Sequence, residues 1–241
     1  MLTVAFLVGV GVVAFLAVEV GPLYAADRFR TLREPTAEER DRLAAFRETA
    51  GLDVDRIAVE VSGAGGDDGG AGADDGGAGA DDGETEIDSI EVGVRGPPRR
   101  RVLFLSEGVL DGLDEDVVIG LLAAEAGRVE TYYGEFRAVA IAAVLAILAA
   151  IVTVAVPFQA GFASLVAVGV AAFWVGRRVQ YAADDRAADA VGAARVADAF
   201  ERVAALRGVE PETGDWSTWF EVQPPLGDRI AALRERAERD S

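Results

Sequence analysis

Apolar and polar positions separate into long blocks along this chain. Residues 1–18 are apolar apart from Thr3, and Pro22 follows shortly after. Residues 138–158 are uncharged throughout, and after Gln159 the chain is uncharged again over residues 160–176. A helix needs about 20 apolar residues to cross a bilayer, so the middle block qualifies outright and the outer two are at the short end. Pro157, Gln159 and Gly161 predict a tight turn between the second and third blocks, which makes these two a helical hairpin. Three transmembrane helices are therefore expected.

The remaining chain carries shorter periodicities. Residues 34–51 predict a helix, with Thr36 as cap, Glu39 completing a capping box and Gly51 ending it. Ile57, Val59 and Val61 alternate with polar or small residues, as do Ile90, Val92 and Val94. A third apolar run follows Pro97 and Pro98, so a small sheet of about three strands is expected. Residues 117–135 have helical spacing, with Asp114 or Asp116 placed to cap them, and residues 177–192 read as another helix. Between the first two strands Asp-Asp pairs recur at 67, 74 and 81 in a glycine-alanine background. Calcium-binding glycine–aspartate repeats have a period of about nine and an apolar residue turned into their coil. Both are missing here, and glycine with aspartate buries too little to offset chain entropy, so a disordered acidic loop is expected. The expected organisation is an anchor (1–22), a helix and first strand (23–62), the acidic loop (63–86), and strands leading into a helix (87–137). The hairpin (138–176) and a C-terminal helical segment (177–241) complete it.

Composition narrows the function. The 241 residues are 51% hydrophobic yet carry a net charge of -18, and histidine and cysteine are both absent. Disulfides and the usual Cys or His zinc ligands are thereby excluded. All 23 basic residues are arginine. No basic stripe exists to meet phosphate along a nucleic acid, so that class of partner is excluded. Lysine-free acidity is the composition of salt-accumulating halophiles. At molar salt the Debye length falls to roughly 3 Å, so clustered carboxylates cease to repel at a distance.

Arginines flank the apolar blocks on one side. Arg28, Arg30 and Arg33 follow the first, Arg128 and Arg137 precede the second, and Arg177 and Arg178 follow the third. The positive-inside bias then puts the N-terminus and hairpin tip outside, in a multi-pass cell-membrane protein with its polar domain cytoplasmic. The first block lacks a basic n-region, which favours an uncleaved anchor over a signal peptide.

One stretch carries candidate chemistry. In "LLAAEAGRVE", residues 121–130, Glu125 stands alone in the outline of an H-E-x-x-H zinc helix. Residues four apart share a helical face, so Ala124 and Arg128 lie side by side with Glu125 adjacent. In "RRVQYAADDRAA" Gln180 and Asp184 are again four apart, and "VQPPLGDRIAALRE" closes the chain. With "LFLSEGVLDGLDEDVVIGLLAAEAGRVE", a hairpin after it, and these two blocks in order, the chain resembles the integral-membrane zinc metalloproteases of the CAAX prenyl endoprotease and HtpX type. These are gluzincins, and the likeness covers residues 36–234 apart from the acidic loop.

The resemblance implies a mainly α fold with a small β-sheet, a membrane-anchored peptidase domain, and a bound zinc. It places Glu125 as the family's general base, and Ala124, Arg128 and Gln180 where its three zinc ligands stand. Gln223 takes the place of a histidine before two prolines. Ala183, Asp184, Pro224, Pro225, Arg229 and Ile230 match the family pattern. Alanine offers no lone pair, and a guanidinium repels a cation. No cofactor is therefore expected, and Glu125 without a metal has no activated water to deprotonate. Glu125 is expected to survive as a structural group paired with arginine, and Asp184 as one that caps or pairs. Arg128 is expected to stand in for the zinc charge, reaching Glu125 and also Asp184. Trp174, Trp216 and Trp219 are expected at the membrane interface and in the core. The expected function is a catalytically inactive pseudoprotease that binds a membrane-protein segment or regulates an active paralogue. The alternatives are an active membrane metalloendopeptidase with atypical metal ligation, and a purely structural membrane protein.

If the acidity is a halophilic adaptation, the melting temperature will rise steadily between about 0.1 M and 3 M potassium chloride as carboxylate repulsion is screened. A flat profile assigns the composition to a low-salt organism.

Overall fold

The computed structural model describes residues 9–17, 21, 31–61, 90–208 and 224–241. The anchor block lies largely outside the described residues, apart from a helical piece at 9–17, and the acidic loop lies wholly outside them.

The first full helix, α1 (Ala37–Ala50), forms where its caps demand. Thr36 Oγ1 accepts the Glu39 N–H at 3.3 Å, and the Glu39 carboxylate accepts the Thr36 N–H at 2.7 Å. Gly51 ends it at φ 68°, a left-handed conformation that costs glycine nothing. Preceding it is a short strand, β1 (Leu32–Arg33). Arg33 grips Glu39 with two bonds of 2.7 Å and Glu107 with one of 2.8 Å. The Arg33 guanidinium holds the Glu39 carboxyl down at about 2.

β1 joins β2 (Arg56–Glu60), β3 (Val92–Arg95) and β4 (Val102–Ser106) in one sheet of order β1-β2-β4-β3. The pair β2–β4 is parallel, with Ile57 opposite Leu103, and the two outer pairs are antiparallel. The sheet therefore has four strands rather than three. The alternation read in β2 holds: Ile57 and Val59 join Leu103 and Leu105 in the main core. Ala58 is buried as well, against Phe104, Leu32 and Val102 on the opposite face. Alternation alone assigns that face to water; β1, too short to leave a period, supplies Leu32 to cover it.

After β4 come α2 (Glu107–Gly112), α3 (Glu115–Glu130), α4 (Tyr133–Val152), α5 (Phe158–Val191), α6 (Ala193–Leu206) and α7 (Leu226–Asp240). The helix expected over 117–135 stops at Glu130. Tyr132 takes a left-handed conformation (φ 53°), and the chain turns there into α4. Asp114 occupies the N-cap of α3 without a side-chain capping bond. The central helix is α3, which packs on α1, β3, α5 and α6. Its inward stripe is made of small residues. A Cβ added at Gly120 would lie 2.7 Å from Ala199 Cβ on α6, and one at Gly127 would collide with the backbone carbonyl of Ala183 on α5. Spaced seven apart, the two glycines sit on one face and set both helix crossings.

Among the described residues two helices, not three, are long and apolar enough to cross a membrane: α4 and α5. Val139, Leu145 and Leu148 of α4 and Phe162, Val166 and Val170 of α5 are exposed, so the apolar surface of these helices is not spent on the protein core. The hairpin turn falls at 153–157, while Gln159 and Gly161 belong to the first turn of α5. The third span and the helix expected from residue 177 form one continuous helix of 34 residues, about 50 Å long.

Gly127→Ala will lower the melting temperature, because the added methyl meets backbone that has no rotamer to escape into. Overpacking of this kind costs about 1–3 kcal/mol. Gly112→Ala, where nothing lies within 4 Å of the added Cβ, will leave it unchanged or higher.

Candidate functional site

The Gly127–Ala183 crossing brings the middle of α3 against the charged half of α5, and two carboxylates come with it. Glu125 is 6% exposed on α3. Its Oε2 accepts the Val94 N–H of β3 at 3.2 Å, and its Oε1 accepts Arg128 Nη1, one helical turn on, at 2.5 Å. The charge of Glu125, opposed by burial and reinforced by Asp184, holds the Arg128 proton more tightly than usual. Arg128 is thus a fixed cation beside Glu125, as expected.

Asp184 is bound differently from the expectation. Among the described residues Arg128 makes no ion pair with it; Arg229 of α7 does, with Nε to Oδ2 at 2.8 Å and Nη2 to Oδ1 at 2.7 Å. Two parallel bonds match the fork of a guanidinium to a carboxylate, while Arg128 is engaged with Glu125. Gln180, fully buried, adds a third donor through Nε2 at 3.3 Å, while its Oε1 has no partner among the described residues. The Arg229 guanidinium also lies over the Phe200 ring of α6 at 4.5 Å. One buried cluster thereby fastens α5, α6 and α7 together.

The other expected site residues are placed as follows. Ala124 is buried in the main core, and Ala183 is buried at the helix crossing. Pro224 and Pro225 are buried at the start of α7, with Pro225 as its N-cap, and Ile230 packs in the core. Trp174 is 64% exposed on α5, with Arg178 over its ring at 5.9 Å. Gln223, Trp216 and Trp219 lie outside the described residues.

A cleft of about 450 Å³ opens beside Glu125 and Arg128, lined by the outer edge of β3, Arg101, Tyr133, Glu135, Arg137 and Ile141. Arg101 bonds Glu135 across it at 3.0 Å. Sequence reading missed this wall. Arg101 is the last of three consecutive arginines, and no periodicity tells which of them turns inward. The Asp184–Arg229 pair escaped sequence reading too: both residues stood in recognised motifs, but nothing local joins positions 45 apart.

The donor set does not fit a zinc ion. Among the described residues no group of three carboxylate or other ligand side chains is gathered. The carboxylate best placed, Glu125, already faces a guanidinium, whose charge opposes any cation at that point.

No family model matches the chain, and no curated protein matches it. Among solved structures its fold is similar to that of S. mikatae Ste24p, with a TM-score of 0.60 and 13% identity, over 94% of this chain. The chain spans 56% of the length of that protein. At this identity the likeness is one of fold.

Breaking the buried pair will be costly. Asp184→Ala or Arg229→Ala alone strands a charge and will destabilise by about 3–5 kcal/mol, whereas the apolar double change Asp184→Leu with Arg229→Met will lose much less. Thermal melts of the four proteins in one detergent check the order.

Proposed function

We propose that the chain is a membrane-embedded protein built on a peptidase scaffold whose site holds a guanidinium in place of a metal, and that it works by binding rather than by cleavage. The observation that carries this reading is the state of Glu125. A general base in a zinc peptidase needs a metal-bound water of lowered pKa and a free carboxylate oxygen aimed at it. Here one oxygen is taken by Arg128 and the other by the Val94 N–H. In this reading Ala124, Arg128 and Gln180 occupy the positions of the lost ligands.

The fold likeness to Ste24p, at a TM-score of 0.60, supports the scaffold. The exposed apolar surface of α4 and α5 supports the membrane setting. Arg137 before the apolar part of α4 and Arg177 and Arg178 after that of α5 lie at one end of the hairpin. We assign that end, with the sheet and the Glu125 site, to the cytoplasmic face on the positive-inside bias. The bound partner is a membrane-protein segment or an active paralogue of the same scaffold.

Metal analysis and proteolysis test this directly. The detergent-purified chain will hold less than about 0.1 zinc per molecule and will not cleave casein. Stoichiometric zinc, with cleavage that a chelator abolishes, overturns the reading in favour of an active enzyme.

A further inference from the structure

The cleft beside Glu125 is at odds with the rest of the molecule. The chain carries a net charge of -18, yet four arginines, at positions 95, 101, 128 and 137, line this cleft against two carboxylates, Glu125 and Glu135. The carboxylates are already matched, Glu125 by Arg128 and Glu135 by Arg101. Among the described residues the surplus positive charge therefore rests on Arg95, whose one ion pair there is a 4.0 Å contact with Glu91, and on Arg137, which has none there. Arg128 spends only Nη1 on Glu125, and its buried Nε has no hydrogen-bond partner among the described residues. Arg128 itself lines this cleft of about 450 Å³ and keeps guanidinium donors that Glu125 does not take.

We infer that this cleft binds a phosphate-bearing anion, and that the headgroup of an anionic phospholipid from the adjacent leaflet is its natural occupant. Guanidinium groups meet phosphate oxygens with paired, charge-assisted bonds, and basic pockets beside membrane helices take lipid headgroups in this way. Location selects the lipid over a free anion. Arg137 and Ile141 are successive lining residues on one face of α4, and Arg137 is the last charge before the uncharged stretch of that helix. A phosphate held by the arginines thus leaves its acyl chains beside Ile141, level with the first turns of the span. The inference rests on the membrane placement of α4 and α5 but not on the loss of proteolysis.

The test is a thermal melt of the full chain in neutral detergent, at a salt concentration where it is folded. The micelles are doped with dioleoylphosphatidylglycerol, with dioleoylglycerol (the same chains without phosphate), or left plain with inorganic phosphate added. Non-specific contact with an anionic micelle repels a chain of this charge, so a rise in melting temperature is informative. The phosphatidylglycerol micelles will raise it by about 5 °C, and dioleoylglycerol will not. Arg95→Gln with Arg137→Gln, both at exposed positions that the fold does not need, will lose at least half of the rise. A rise with inorganic phosphate alone, lost in the same variant, assigns the site to a free phosphate. No rise with either phosphate source, or an equal rise in the variant, overturns the site. Flotation with dioleoylphosphatidylcholine vesicles is read separately. A chain that stays dispersed without detergent and unbound to them overturns the membrane reading, while the phosphate arm still decides the anion site.

Discussion

The close approach of α3 to α5 at Gly127 is the contact on which the rest of the structure depends. A side chain larger than hydrogen at that position would meet the Ala183 carbonyl, so the separation of the two helices is set by backbone, not by interdigitating side chains. Close packing on small residues leaves little room for adjustment. It fixes where Glu125 and Asp184 lie, since each is within two residues of the crossing. It also sets the direction in which α5 leaves for the apolar hairpin.

Once the two carboxylates are brought in, burial dictates the rest. An unpaired buried charge is costly, and each carboxylate is answered by an arginine of its own: Glu125 by Arg128 from the same helix, Asp184 by Arg229 from α7. The division has a structural consequence. The first pair is local and turns towards the cleft, so it contributes charge to a surface. The second is long-range, bidentate and dry, so it contributes to holding three helices in place. A guanidinium suits both tasks because it stays charged in any surroundings and presents a planar fork.

Much of this was legible in the chain before folding. The Thr36–Glu39 box, the Gly51 stop and the alternation through Ile57 and Val59 are local signals, and local signals survive in any context. The apolar blocks announced the hairpin for the same reason. What escaped was set by tertiary contact. Gly120 and Gly127 are poor helix formers, and only the helices packed on them explain their presence. β1 is two residues long and exists because β2 offers it an edge. The continuity of α5 was hidden by a change of composition at Arg177, where the surroundings change while the backbone does not. Arg229 as the partner of Asp184 needed a pairing across 45 positions, which no periodicity records.

The unbroken course of α5 makes it a lever. One end is apolar and exposed and the other carries Gln180 and Asp184 in the core, with the Gly127 contact as fulcrum between the apolar stretch and Asp184. Spans adjust to a thicker or thinner bilayer by changing tilt. A rod cannot tilt at one end alone, so any such adjustment would be delivered to the buried Asp184–Arg229 joint. On the proposed membrane placement, bilayer thickness is thereby coupled to the packing of α5 against α6 and α7.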